Sequence, residues 1–245
     1  DTSITADTDD QIDIKVGGSD TVHMGLTTYN ASDRIVLTNT SGNASMAIVA
    51  GTSGESSIFM ADGTSGDASY RGYLQYQHAN DNWNFGTAAT LAMKIDSAGH
   101  VTKPLQPAVL VTKSSSQLNI AVGSSVTQVF DSEIFDVNGD FSSNTFTAPV
   151  TGKYLVNLQI RYQSIPTDVI YIQTYLATSN GTRYMGLFGS GSSWFNSAAS
   201  YFRDGQSLVI DMDANDTFTV ITVQSGGTQQ IDIGQESYLS VALLS

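Results

Sequence analysis

The chain has 245 residues, of which 40% are hydrophobic and 13% charged, with four prolines and no cysteine. Without cysteine it has no disulfide framework and no thiolate metal site, and no apolar run reaches the roughly 20 residues of a membrane-spanning helix. The net charge of −13 disfavours nucleic acids and anionic membranes as partners, because phosphates are bound by basic surfaces. The chain contains 31 Ser and 26 Thr, and 20 of its 23 acidic residues are Asp. This composition opposes helix and predicts an all-β protein.

The sequence begins at Asp1 without an initiator Met. We therefore expect a processed or truncated piece of a longer protein, whose upstream segment would connect it to other proteins. A secreted domain of a multicellular animal would more often carry disulfides, so the lack of cysteine favours a microbial or viral source.

The first 103 residues are predicted to form short strands separated by polar turns. Apolar and polar residues alternate in 11–16, which is the pattern of a half-buried strand. Further short strands are predicted at 34–37, 47–49, 58–60, 73–76 and 91–95. Their apolar side chains are few and small. We therefore expect residues 1–103 to be an elongated β-rich fibre shaft or collar region that forms its core between chains.

Two of the four prolines, Pro104 and Pro107, lie within four positions of each other. Proline restricts its own and the preceding residue to extended conformations and cannot donate a hydrogen bond to a central strand. The sequence therefore predicts a linker here, followed by a second domain at 104–245.

Longer and more hydrophobic strands follow this linker. Apolar and polar residues alternate in 154–162 and in 208–212, as in half-buried antiparallel strands, and two more strands are predicted at 218–223 and 238–244. The segment 169–177 is apolar or aromatic on both faces, which indicates a sandwich core on one side and a subunit interface on the other. About eight to ten strands in roughly 140 residues fit a two-sheet jelly roll.

A proline-glycine turn leads into the longest of these strands. Phe146, Ala148, Pro149, Gly152 and Tyr154 follow the pattern Phe-x-Ala-Pro-x-x-Gly-x-Tyr. At this spacing they resemble the globular head of complement component one-q and its tumour-necrosis-factor-like relatives. The ending 238–244 resembles the family's aromatic-Ser-Gly-Phe-Leu-Leu, with Val-Ala in place of Gly-Phe. The resemblance covers about 104–245 and implies a ten-stranded jelly-roll protomer, assembled as a compact homotrimer, that binds partners with its outer loops.

A second pattern lies just before the linker. Residues 73–87 contain Tyr-x-His-x-x-Asp-x-Trp-x-Phe, and 91–101 contain Met-x-Ile-Asp-x-x-Gly-x-Val. This order is similar to a segment that recurs in tailed-phage fibre proteins, where it precedes a terminal domain. The two resemblances together imply a bacteriophage tail-fibre tip, located in the virion and acting outside the host cell.

Few residues point to catalysis or to a metal. His23, His78 and His100 form no ligand pair, and the sequence has neither a Gly-x-Ser-x-Gly elbow nor a Gly-x-x-x-x-Gly-Lys phosphate loop. We expect no enzyme activity, no catalytic residues, no metal-ligating residues and no cofactor. The segment Asp136–Asp140 has the start of a calcium loop, but Asn-Gly within it favours a hairpin turn. Ca²⁺ at a trimer remains an alternative for Asp211, Asp213 and Asp216, for which exposed faces and turns are favoured.

Aromatic residues interleaved with Gly and Ser concentrate in 184–202. Aromatic rings supply contact area at low entropic cost and stack on sugar faces, so this spacing is typical of a binding loop. The candidate receptor-binding residues are Tyr184, Phe188, Trp194 and Phe195. Tyr201 and Phe202 fit core strands as well as a loop.

The leading hypothesis is a homotrimeric phage fibre protein whose tip binds a host cell-surface receptor, either a glycan or an outer-membrane protein, without catalysis. One alternative is a purely structural head-fibre or decoration protein. Another is a tailspike-like enzyme that degrades polysaccharide, because the 20 Asp residues make carboxylate pairs unavoidable.

Overall fold

The computed structural model describes residues 42–43, 45–189 and 198–245. The predicted strands at 11–16 and 34–37 lie outside these residues. A single 3-10 turn, Gly66–Tyr70, accompanies the strands of the described residues, so the all-β prediction is confirmed. In chain order the strands are β1 (Glu55–Met60), β2 (Gly72–Gln77), β3 (Asn82–Thr87), β4 (Thr90–Ile95), β5 (Val101–Thr102), β6 (Ala108–Thr112), β7 (Ser125–Thr127), β8 (Ser132–Asp136), β9 (Phe141–Ser142), β10 (Thr145–Thr147), β11 (Gly152–Ile165), β12 (Val169–Thr178), β13 (Gly181–Gly189), β14 (Ala199–Met212), β15 (Thr217–Gly226), β16 (Asp232–Ile233) and β17 (Tyr238–Leu243).

Strands β1 to β5 form one antiparallel sheet in sequential order. The strands predicted at 58–60, 73–76 and 91–95 lie in β1, β2 and β4, whereas the strand predicted at 47–49 is absent. The prediction missed β3, in which Trp83 lies opposite Tyr76 with ring centroids 5.1 Å apart. The sheet ends at Thr102 and β6 begins at Ala108. The domain boundary at 103/104 stays a prediction.

The twelve strands from β6 to β17 form two antiparallel sheets. The β11 sheet has the order β14-β11-β17-β6-β8, with β16 also paired to β11. The β12 sheet has the order β13-β12-β15-β10-β9, with β7 also paired to β15. The chain changes sheet at every connection from β6 to β17 except β9–β10, β12–β13 and β16–β17, which makes the sandwich a jelly roll. The resemblance implied ten strands, whereas the two sheets contain twelve. The two additional strands are β9 and β16, of two residues each.

The core lies between the two sheets and follows the predicted alternation. From β11 it takes Tyr154, Val156, Leu158, Ile160 and Tyr162, each at most 3% exposed. The facing side chains of the β12 sheet are Phe146, Ile172, Leu176, Phe218 and Val220. The residues between these buried positions face outward, because successive side chains of a strand point to opposite faces.

The proline-glycine turn before β11 has a packing explanation. The Phe146 ring lies 5.4 Å from the Tyr154 ring and 5.2 Å from the Phe218 ring. The Tyr154 hydroxyl donates to the carbonyl of Val150 at 2.6 Å and closes the turn. A Cβ on Gly152 would lie 2.6 Å from the Ser245 carbonyl oxygen, so only glycine fits beside the end of the chain. The motif therefore joins the two sheets.

No helix among the described residues is long and apolar enough to cross a membrane.

Candidate functional site

Two strands account for most of the predicted aromatic loop. Tyr184 and Phe188 lie in β13, and Tyr201 and Phe202 lie in β14. The prediction of a loop is therefore wrong at Tyr184 and Phe188, and at Tyr201 and Phe202 the structure has the alternative of a strand. Trp194 and Phe195 lie in 190–197, outside the described residues, and their role stays a prediction.

Phe188 is only 5% exposed. Its ring lies 5.1 Å from the ring of Tyr162 and 4.9 Å from that of Phe202. These contacts join the β12 sheet to the β11 sheet at their β13 and β14 edges. The protomer therefore uses Phe188 as a core residue, and its contact with a receptor stays a prediction.

Tyr184 is 67% exposed and lies on the outer face of the β12 sheet. Strand pairing places Tyr184 opposite Tyr175 and Leu187 opposite Gln173, so these four side chains share one face. The Tyr184 and Tyr175 rings meet edge to face at 5.7 Å, and the Tyr175 hydroxyl lies 3.0 Å from Ser125 Oγ. We call Gln173, Tyr175, Tyr184 and Leu187 the Tyr184 surface. It combines exposed aromatic area with amide and hydroxyl groups, as binding surfaces do.

A tied hairpin holds the strands of this surface. At its tip, the Thr178 hydroxyl donates to the carbonyl of Gly181 at 2.7 Å. The Asp216 carboxylate accepts hydrogen bonds from Ser179 Oγ at 2.8 Å and from Asn180 Nδ2 at 2.6 Å. Because Asp216 precedes β15, these bonds fix the β12–β13 hairpin to the turn between β14 and β15.

Behind the surface, β12 is held by a buried hydrogen-bond chain. The Tyr162 hydroxyl lies 2.5 Å from Thr174 Oγ1, which lies 3.1 Å from Thr222 Oγ1. Burial raises the pKa of Tyr162, so its hydroxyl stays protonated in the biological range. The chain links β11, β12 and β15 through the core and fixes the sheet that carries the Tyr184 surface.

The segment Asp136–Asp140 is a turn, as the Asn-Gly pair predicts. Asn138 and Gly139 have φ values of 77° and 75°, the left-handed pair of a type I′ turn. The Asp136 carboxylate accepts hydrogen bonds from the backbone N–H of Asp140 at 2.8 Å and of Phe141 at 2.9 Å. Both oxygens of Asp136 therefore serve the backbone.

Asp216, at the β14–β15 turn, also serves the backbone and the hairpin. Asp216 accepts from the Asp213 N–H at 2.9 Å, and its hydrogen bonds with Asp213 and Ser179 lower its pKa. In 42–43, 45–189 and 198–245, no group of three or more His, Asp or Glu side chains is close enough to hold a metal ion. The alternative of Ca²⁺ at a trimer stays a prediction.

Sequence reasoning missed one charged pair. Arg161 in β11 and Arg203 in β14 lie directly opposite each other on the outer face of the β11 sheet. They are far apart in the chain, so only the register of two long strands brings them together. No local motif could have indicated this pair.

No protein-family model matches the chain, and no curated protein matches it in sequence. Among solved structures, the globular domain of zebrafish complement 1qA protein is similar to this chain with a TM-score of 0.41 and 14% sequence identity, covering 57% of this chain and 98% of that domain. Murine APRIL, in a crystal structure at pH 8.0, is similar with a TM-score of 0.42 and 9% identity, covering 57% of this chain and 99% of that one.

Proposed function

We propose that the protein is a phage virion fibre protein whose homotrimeric jelly-roll tip binds a host cell-surface glycan or protein without catalysis. The observation that carries the binding role is the Tyr184 surface, an exposed aromatic face on a hydrogen-bonded hairpin. The fibre-like pattern at 73–101 motivates the virion setting.

The Tyr184 surface favours binding for a physical reason. Tyr184 and Leu187 keep 67% and 63% of their surface exposed, and their strands are fixed by the Asp216 bonds and by the buried chain at Thr174. Little conformational entropy would be lost when such a surface meets a partner, so more of the contact energy appears as affinity. The tyrosine hydroxyls and the Gln173 amide suit a polar receptor.

An apolar row on the β11 sheet supports the homotrimer, and it lies on the opposite sheet from 169–177, where the sequence predicts the subunit interface. Ala108, Ala242, Leu155 and Val209 are paired in this order across β6, β17, β11 and β14, on the outer face. Val209 is 51% exposed in the protomer. Packing this row against other copies would remove it from water, as in homo-oligomer interfaces.

Sedimentation equilibrium tests the assembly. The wild type is expected to sediment at three times the chain mass of 26.0 kDa. Val209→Glu places a charge in the apolar row and should dissociate the trimer. Val150→Glu is the matched control, since Val150 is 45% exposed but lies in the turn before β11. If the wild type stays monomeric at micromolar concentration, the proposal of a homotrimer is wrong.

Cell binding tests the receptor role. Labelled protein is incubated with a panel of bacterial strains and competed with their purified lipopolysaccharide or outer-membrane vesicles. Tyr184→Ala is expected to bind roughly tenfold more weakly, because aromatic anchors dominate interface energies. Tyr70→Ala is the control, since Tyr70 lies in the 3-10 turn. Equal loss of cell binding in Tyr184→Ala and Tyr70→Ala would exclude the Tyr184 surface as the binding site. If the wild type binds no strain, the receptor role is excluded.

The genes beside this one test the virion setting, because tail or capsid genes are expected there. Antibodies against the jelly roll then separate attachment from a purely structural role. They should block infection if the tip binds the host, and leave infection unchanged if the protein is a decoration. Release of sugar from host polysaccharide would overturn the proposal of binding without catalysis.

A further inference from the structure

Two arginines face each other on the outer face of the β11 sheet. Arg161 and Arg203 occupy paired positions of β11 and β14, and like charges directly opposite one another destabilise a sheet. Glu236 contacts Arg161 Nη1 through Oε1. That hydrogen bond, together with the nearby charge of Arg203, lowers the pKa of Glu236. In the described residues Glu236 is the only carboxylate paired with either arginine, so one of two guanidinium charges has no ion pair in a chain of net charge −13.

A surface pocket of about 410 Å³ lies beside the pair, lined by Arg161, Tyr201, Phe202 and Arg203. The Tyr201 ring is 63% exposed, and the Arg161 guanidinium carbon lies 4.8 Å from its centroid. The Arg161 Nε is buried and has no hydrogen-bond partner. Asp204, the acidic neighbour of Arg203 in sequence, points to the other face, where its carboxylate lies against Gly186. The pocket thus places two guanidinium groups, of which that of Arg203 has no ion pair in the described residues, next to an exposed aromatic ring.

Hydroxyl and amide groups continue along the same face. Gly205 follows Arg203 at the next outward position of β14, and a Cβ there would meet nothing within 4 Å. Beyond it, a shallower pocket of about 270 Å³ is lined in part by Asn157, Ser207 and Ser240. Ser207 Oγ donates to Asn157 Oδ1 at 2.5 Å. The outer face therefore runs from arginines, across a glycine, to a row of hydroxyl and amide groups.

We infer that this groove, from Arg161 and Arg203 to Ser240, binds an acidic saccharide. The carboxylate of a uronic-acid residue fits the two guanidinium groups, since arginine binds carboxylates with paired hydrogen bonds. The apolar face of the sugar ring stacks on Tyr201. Asn157 lies four residues from Arg161, about 13 Å along β11, so the hydroxyls of a sugar farther along the ligand meet Asn157, Ser207 and Ser240. We call this groove the arginine groove.

The arginine end of the groove is separate from the two surfaces of the proposed function, whereas its Asn157 end lies two residues along β11 from Leu155 of the apolar row. The Tyr184 surface belongs to the β12 sheet. The apolar row passes through Leu155, six residues before Arg161 in β11, which corresponds to about 20 Å along the strand. A trimer contact at the row therefore leaves room for a ligand at the arginines. The saccharide site goes beyond the proposed function and holds whether or not the protein belongs to a virion.

The test is isothermal titration of the full chain with a galacturonic-acid trisaccharide. The neutral galactose trisaccharide and sodium acetate are the comparison ligands, and sodium phosphate reports a site for anions alone. Arg203→Gln removes the arginine that has no ion pair within the described residues, and Arg183→Gln on β13 makes the same change of charge elsewhere. Tyr201→Ala removes the stacking ring. Circular dichroism checks that each variant is folded.

The expected result is that the acidic trisaccharide binds at least about tenfold more tightly than the neutral one. Arg203→Gln should abolish this preference, Tyr201→Ala should weaken binding of the acidic trisaccharide, and Arg183→Gln should change neither. Equal binding of acidic and neutral trisaccharides would overturn the inference. Equal loss of affinity for the acidic trisaccharide in Arg203→Gln and Arg183→Gln would also overturn it. The same holds if phosphate and acetate bind as tightly as the acidic trisaccharide. Cell binding through the Tyr184 surface is unaffected by these outcomes, so failure of the saccharide site is distinguishable from failure of the proposed function.

Discussion

Removing the hydroxyl of Tyr162 measures how strongly the buried hydrogen-bond chain stabilises the jelly roll. Tyr162→Phe deletes the 2.5 Å bond to Thr174 Oγ1. Thr174 keeps its 3.1 Å bond with Thr222, so the Thr174 hydroxyl is not left without a partner. The ring stays packed against Phe188 at 5.1 Å, and no cavity forms.

The expected loss is therefore that of one neutral hydrogen bond, about 1 kcal/mol in the free energy of unfolding. A loss of this size corresponds to about 3 °C in Tm for a domain of this length. Tyr162→Ala should cost about 3–5 kcal/mol, because it also empties the space of a buried ring. Comparison of the two variants separates the hydrogen bond from the packing of the ring.

Urea unfolding followed by far-UV circular dichroism gives these values, with all variants at one protein concentration because assembly stabilises the fold. A double-mutant cycle with Thr174→Val should return a coupling energy of about 1 kcal/mol. A Tyr162→Phe variant as stable as the wild type would refute the reasoning, because burial of the hydroxyl would then cost as much as its bond returns. A coupling energy of zero would show that Thr174 is not the partner.

Three further changes test other features. Burial lowers the pKa of Lys113 to about 8. Because the unfolded chain holds that proton to higher pH, the free energy of unfolding should rise by up to about 2 kcal/mol between pH 8 and 10. Urea titrations of Lys113→Met should lack this rise. Burial, and after it the neighbouring charge of Asp136, raises the pKa of Asp140. In calorimetry Asp140→Asn should therefore have a higher Tm than the wild type at pH 7, and the difference in Tm should vanish as the pH falls toward 4. A difference in Tm that is independent of pH would contradict this cause. Gly152→Ala should lower the free energy of unfolding by about 1–3 kcal/mol through overpacking, since its Cβ would lie 2.6 Å from the Ser245 carbonyl oxygen. Deleting Ser245 from this variant should recover some of the lost stability. A Gly152→Ala variant with the Tm of the wild type would exclude the close approach.

Alternation of side chains was sufficient to predict the centre of the jelly roll. The side chains at 154–162 carry a strong period of two over nine residues, and each predicted inward residue is buried. The same rule failed at 184–202. Gly and Ser dilute the pattern there, and a bulge between Thr174 and Tyr175 shifts the β12–β13 register. Phe188 consequently faces the core whereas Tyr184 faces outward.

The candidate sites were less predictable because they depend on pairing between distant strands. The Tyr184 surface needs the β12–β13 register, and the facing of Arg161 and Arg203 needs the long register of β11 with β14. Residue type alone identified Tyr184 as a candidate, since exposed aromatic residues among small ones are common in binding surfaces. It could not identify two isolated arginines as a pair, because each alone has the features of an ordinary solvated side chain.

The position of β17 affects how the protein is made. Strand β17, the last of the described strands, lies in the middle of the β11 sheet, between β11 and β6, and the Leu243 N–H donates to the Pro107 carbonyl beside the linker. The β11 sheet therefore cannot close until the ribosome has made the chain through Leu243. Before that point β6 and β11 each lack the strand that pairs with both of them. A stop codon at or before Tyr238 would therefore remove a central strand, and the β11 sheet could not close.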